Sequence, residues 1–221
     1  MLLNYLFANF HEEQDFIRLA GISANDLENL IKKRIMPSAP YIFGSNARSV
    51  SFVSDVKEDR TYRFHLKGHL NWIKAIDRLN LDCEQRAREF FDARYAIAKK
   101  LFFSGQLGAE LAACVPEVPS LFDAAQLEET WNHFLNGVYG VCTRDGQPET
   151  IFLKQSGVMF IERMTQAGPK ALSPTQLNTL TRAVAFLDGV ESDFAPHEVA
   201  QASRQRCIVD VRARFLCNQA A

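Results

Sequence analysis

From about His65 to its end the chain is a succession of stretches in which apolar residues recur every three to four positions, each closed by glycine or proline. That period belongs to helices burying one face, and such punctuation leaves little room for strands. It predicts helices over residues 66–80, 83–103, 124–142, 149–166, 174–188 and 197–215. The breaks between them are Gly105 and Gly108, Pro116 and Pro119, Asp145-Gly146 with Pro148, Gly168-Pro169, Gly189 and Pro196. Ser173-Pro174 is a favourable start, with serine as cap and proline in the first turn.

The first 65 residues differ in style. A short helix over residues 12–19 stops at Gly21, and Ser23 opens a second, with Asp26 three positions on as in a capping box. Leu27, Leu30 and Ile31 give that helix an inward face; Pro37 and Pro40 end it. Tyr41-Ile42-Phe43, then Val50, Phe52 and Val53, then Thr61, Tyr62 and Phe64 favour strands. Gly44-Ser45-Asn46 and Lys57-Glu58-Asp59 interrupt them, so two or three short strands are expected. The fold class is therefore mainly α: a helical bundle over residues 66–221 carrying a helix-turn-helix-like unit with a small β wing over residues 1–65.

With 221 residues, 47% of them apolar, the chain can bury a real core. Its net charge of −1 exerts no general pull on nucleic acid or anionic membrane. Residues 1–10 are apolar but lack a basic lead-in and meet His11-Glu12-Glu13 at once, and no later run approaches ~18 apolar residues. Neither a signal peptide nor a membrane span is expected. Five cysteines lie far apart, an odd number that reads as small apolar residues in a reducing compartment, which makes the cytoplasm the expected location. His65 and His69, four apart, could share a metal, but Gly68 lies between them and no nearby acid completes a set. No metal is expected. No phosphate loop, dinucleotide fingerprint or nucleophile elbow occurs, so no cofactor is expected and classical enzyme chemistry finds no support.

The run Phe16-Ile17-Arg18-Leu19-Ala20-Gly21-Ile22-Ser23, continuing through Leu27, Leu30 and Ile31 to Pro37, resembles the winged helix-turn-helix of the mercury-resistance-regulator superfamily. The resemblance implies DNA binding through residues 12–75. That chemistry needs cations against phosphates. Residues 1–40 hold four basic groups against five acidic, and residues 41–75 six against three, a net of only +2. DNA binding stands as a rival reading.

The sharper signal lies on the long helices. Arg94 falls within the apolar stripe of Ala87, Phe90, Phe91, Ala98, Leu101 and Phe102, and Arg204 between Ala200 and Cys207-Ile208. A guanidinium cannot shed its proton, so one drawn inward must meet an anion. Glu162 and Asp188 are possible partners, giving an internal ion-pair network. The functional alternative is a pocket in which Arg94 or Arg204 grips a ligand carboxylate or phosphate, with Lys154 as a further cation and Tyr139 nearby. Gly137 and Gly140, on the flank of a helix bearing Trp131, Phe134 and Val138, suggest close approach of a neighbouring helix.

Trp131-Asn132-His133-Phe134-Leu135-Asn136-Gly137-Val138-Tyr139-Gly140-Val141-Cys142, Pro148-Glu149-Thr150-Ile151 with Lys154, Phe194-Ala195-Pro196-His197-Glu198, and Ser203-Arg204 followed by Arg206 resemble a bacterial family of unknown function, over residues ~120–216. Its members are labelled natural-product biosynthesis proteins. The resemblance implies a biosynthetic setting and transfers no activity. The expectation is an accessory protein binding a small anionic ligand or a partner protein, with a transcription regulator and an enzyme built on a cationic pocket as rivals.

Overall fold

The computed structural model describes residues 2–169 and 172–217. Helix α1 (Leu2–Asn9) and strand β1 (Phe10–Glu12) lead into α2 (Glu13–Ala20) and α3 (Ala24–Lys32). Gly21, at φ 69°, ends α2 in the left-handed region where a side chain would be strained. Ser23 and Asp26 cap α3 reciprocally, as their spacing predicted.

Strands β2 (Tyr41–Val50) and β3 (Asp55–Leu66) then form one long hairpin turning at Ser51–Ser54. The expected interruptions do not occur: Gly44-Ser45-Asn46 pairs with Thr61, Arg60 and Asp59 in unbroken register. Turn-prone residues are tolerated there because residues 46–61 are exposed on both faces, so nothing but the ladder constrains them. β1 pairs with the end of β3, giving the sheet order β1-β3-β2. That distant partner holds residues 64–66 extended, so α4 (His69–Leu79) starts three residues later than its periodicity suggested.

The rest is helical: α5 (Glu84–Ser104), α6 (Gln106–Cys114), α7 (Val118–Leu121), α8 (Ala124–Leu135), α9 (Val138–Cys142), α10 (Pro148–Thr165) and α11 (Pro174–Val190). Helix α5 packs on α8 and α10, and α10 on α11. The expected helix 124–142 is broken in two, because Gly137 adopts φ 77°. The expected helix 197–215 is also irregular: a 3-10 turn at Val199–Gln201, then wide π-helical turns at Gln205–Val209 and Arg212–Leu216. Its apolar stripe nevertheless survives, with Cys207, Ile208, Val211 and Phe215 buried. Among the described residues no helix is long and apolar enough to cross a membrane.

One buried cluster runs from Phe16, Leu27, Ile35 and Met36 through Trp72, Phe91, Trp131 and Phe134 to Ile208 and Phe215. A smaller one, Leu6, Phe10, Phe64 and Leu66, lies beneath the sheet. The join between the first 40 residues and the bundle is tight. Ser38 donates from its backbone and its hydroxyl to the Leu135 carbonyl (both 2.9 Å), and Trp72 Nε1 donates to the Ile35 carbonyl (2.8 Å). Here Gly137 and Gly140 find their explanation. Their neighbour is the 38–40 segment, not a helix: a Cβ on Gly137 would lie 2.8 Å from the Ser38 carbonyl, and one on Gly140 2.6 Å from Pro40 Cγ.

Two stability tests follow from this packing. Gly137→Ala meets both a left-handed backbone and a carbonyl, so it should lower unfolding free energy by at least ~2 kcal/mol, whereas Gly44→Ala, with nothing within 4 Å, should be near neutral in urea titrations. His69 is wholly buried, and burial, with His65 beside it, pushes its imidazole down to about 3 from an ordinary 6.5. The unfolded chain binds this proton first, so stability is intact above pH ~6.5 and should fall by about 1.4 kcal/mol per unit below it, until the folded ring itself protonates. His69→Leu should flatten that slope between about pH 6.5 and 5.

Candidate functional site

The four residues singled out from the sequence occupy separate places. Arg94, on α5, is gripped at the start of α10: Nε and Nη2 each donate to Glu149 at 2.7 Å, and Nη1 donates to Gln147 Oε1 at 2.9 Å. The fork is saturated. Tyr139 points into the interior, where its oxygen accepts from Gln155 Nε2 at 2.7 Å. Gln155 also donates to Thr130 and accepts from Tyr95 Oη at 2.6 Å. Arg204 meets Asp188 through Nη2 at 2.6 Å, while its Nε lies 3.4 Å from Asp193. Its Nη1 is buried without a protein partner. Asp188 also accepts from Arg212 at 2.8 Å, and these two guanidinium groups hold its carboxyl below the ordinary range. Glu162, the other acid considered for Arg204, takes Arg206 Nη2 instead, at 3.1 Å.

Lys154 is different. It lies half-buried on α10 and forms none of the ion pairs among the described residues. Together with Arg206 it lines a pocket of about 460 Å³ whose walls are Pro40, Val138, Val141, Val158 and Phe194. Ser203, at the pocket, donates to Oε1 of Glu191, a carboxyl with no solvent exposure whose Oε2 has no protein partner. Burial holds Glu191 above the usual carboxylate range, opposed by the Ser203 hydrogen bond and by Lys154, Arg204 and Arg206. Cys142 also lines this pocket. Burial raises its thiol, although Lys154 pulls the other way. Burial likewise lifts Cys207, to about 12. Of the other cysteines Cys114 is half-buried, while Cys83 and Cys217 are exposed, so only part of the set behaves as buried apolar residues.

The arrangement suits an anion with an apolar body: two cations, one without a carboxylate partner, on an apolar concave wall. Ser203, Arg206 and Glu191 were not candidates from the sequence. A regular helix through residues 197–215 would turn Arg204 inward, and the π-helical turn at Gln205–Val209, which holds Arg206, leaves no mark in the apolar spacing.

A second concavity, of about 770 Å³, lies between α3 and the base of the hairpin, floored by Leu27, Ile31, Ala39 and Ile42. His65 reaches it from β3, stacks on Phe16 at 4.7 Å, and lies 3.2 Å from Glu13 Oε2 through Nε2. That hydrogen bond, with the charges of His65 and Arg63, holds the Glu13 carboxyl below its ordinary range. Along this N-terminal surface acids accompany the cations: Arg18 with Asp15, Lys32 with Glu28, Arg34 with Glu84, Arg48 with Asp55, Arg63 with Glu13. No cluster of three metal-ligating side chains occurs among the described residues.

Comparison with curated proteins and with solved structures yields no match. A family of unknown function, DUF6058, matches residues 87–216, beginning upstream of the segment 120–216 that carried the sequence resemblance. This match takes in α5 through the C-terminal turns, and with them Lys154, Glu191, Ser203 and Arg206. Matched over more than half of its length, the chain belongs to the DUF6058 family of unknown function.

Proposed function

We propose that the protein binds a small molecule carrying a carboxylate or phosphate on an apolar body, in the pocket of Lys154 and Arg206. The observation that carries this reading is the half-buried Lys154 side chain, without an ion-pair partner among the described residues, near a buried carboxyl with one unpartnered oxygen. Elsewhere on the bundle, Arg94 and Arg204 are answered by acids of the chain, which makes them structural cations. Arg206, also at the pocket, gives Nη2 to Glu162 and Nη1 to the Gln201 carbonyl, both at 3.1 Å. The natural-product label read from residues 120–216 would make such a ligand an acidic intermediate of that chemistry, and the unpaired cysteines agree with a cytoplasmic setting.

A transcription regulator is the second reading. The division at residue 65 treats α1–α3 and the hairpin as a winged helix-turn-helix-like module, and the two helices meeting at Gly21 ahead of a hairpin support that shape. Its paired cations argue against a phosphate-binding face, because each neighbouring acid cancels the field a cation would offer DNA. We therefore assign this module to protein contact.

The ligand reading is tested with anilinonaphthalene sulfonate, an anion on an apolar ring system. Saturable fluorescence enhancement is expected, displaced by medium-chain carboxylates. Lys154→Met and Arg206→Met should each weaken binding by about tenfold or more at unchanged melting temperature, as expected for loss of a charge-assisted contact. Equal affinity in both variants and the unsubstituted protein would place the ligand elsewhere and overturn the proposal.

A further inference from the structure

The hairpin projects beyond everything that supports it. From residue 46 to residue 61 each residue is exposed, and the tip carries Phe52, fully exposed at 101%, and Val53 at 75%. Ile42 and Val50, on one face of β2, are 67% and 66% exposed. A two-stranded ribbon is marginal in water. Exposed edges are ordinarily blunted by charges, prolines or bulges. β2 has none of these defences: it runs ten residues in continuous register, contains no proline, and its single charge, Arg48, is already neutralised by Asp55 on the neighbouring strand. As the outer strand of the order β1-β3-β2, it leaves a row of backbone donors and acceptors unpaired.

We propose that two copies of this chain pair through β2, antiparallel about a two-fold axis at Asn46, to form one six-stranded sheet. A two-fold interface requires that residue i face residue j and j face i, and side chains opposite one another must share a face of the sheet. The widest overlaps these conditions allow span nine residues, centred on Ser45 or on Asn46, and the exposed apolar side chains choose the register centred on Asn46. It sets Ile42 of each copy against Val50 of the other, a β-branched cross-strand pair that covers both exposed side chains. Gly44 then faces Arg48, and the missing side chain leaves room for the guanidinium. Continuing past the strand, Phe52 and Val53 fall beside Pro40 and Ala39 of the second copy. Ala39 and Ile42 line the apolar cleft against α3, so each tip has a receptacle at the base of the opposite arm.

The self-complementarity is what commits the occupant to a second copy. The same chain supplies an apolar tip, an apolar cleft and the edge length that joins them. Two phenylalanines burying about 150–250 Å² each, the valines beside them, the two clefts and the paired strands together approach the ~1,200–2,000 Å² of a stable interface. Charge opposes this pairing little: residues 41–66 carry four basic groups against three acidic ones, and Arg48 is answered by Asp55.

Sedimentation equilibrium of the full chain should give a dimer, and Phe52→Asp should raise its Kd at least tenfold while leaving the circular dichroism of the monomer unchanged, because Phe52 touches nothing in it. Register is read separately. Asn46→Cys should cross-link to itself under mild oxidation, since the axis brings the two copies of this position together, and Ser49→Cys, which would face Phe43, should not exceed the background of the unsubstituted protein. A monomer at about 100 μM overturns the proposal, whatever else the arm captures. So does a dimer that is insensitive to Phe52→Asp, or one that fails to cross-link at position 46.

Discussion

The segment from Arg34 to Pro40 is the seam on which the molecule is assembled. Arg34 sits in the left-handed region at φ 58°, a conformation that costs a non-glycine residue about 1–2 kcal/mol. Its guanidinium offsets that cost by reaching Glu84 Oε1 at 2.6 Å and Asn132 Oδ1 at 2.8 Å, one from α5 and one from α8. Ile35, Met36 and Pro37 are buried behind it. The backbone then lies against the break between α8 and α9, which exists only because Gly137 can adopt φ 77° and Gly140 presents no side chain to Pro40.

Both concavities are consequences of this seam. Pro40 and Gly137 form one wall of the Lys154 pocket; Ser38, Ala39 and Ile42 border the cleft beside α3; and Asn136, in the break itself, touches both. A continuous helix 124–142 would carry Asn136 on regularly into the next turn and fill the space that the loop now occupies. The two concavities therefore share one structural support, although their walls differ: one is cationic, the other apolar and electrically balanced.

The helical half of the fold was legible because burial imposes a period: of the α5 stripe Ala87, Phe91, Ala98 and Phe102 are buried and Phe90 half-buried, while Leu101 is exposed. Ser23 with its capping box and Ser173 as a cap were equally plain, and the structure adds Gln176 as the partner that closes a box at Ser173. What could not be read was non-local. β1 acquires strand geometry from residues 64–66, more than fifty positions away, and its three residues carry no period of their own. The short helices α1, α6 and α7 were missed for a related reason: each is held by neighbours across the core and offers too few turns for periodicity to register. At the site, the rule that an inward guanidinium must meet an anion led to Asp188, which Arg204 meets at 2.6 Å.

That last point is general. A cation on an apolar stripe is conspicuous in sequence because it violates the pattern, but a folded chain tolerates the violation by supplying its own acid, and Arg94 is the full case, with Glu149 and Gln147 taking all three faces of its fork. A cation available to a ligand is one the fold has not answered. Lys154 meets that condition while surrounded by apolar residues, where water screens it less and its attraction for an anion is correspondingly larger. Its conspicuous feature is the absence of an ion-pair partner among the described residues, and partnership is a property of three dimensions. The paired cations of α3 and the hairpin obey the same logic in reverse: with Lys32, Arg48 and Arg63 each answered by an acid, what their surface has most to offer is shape, an unpaired strand edge and apolar side chains.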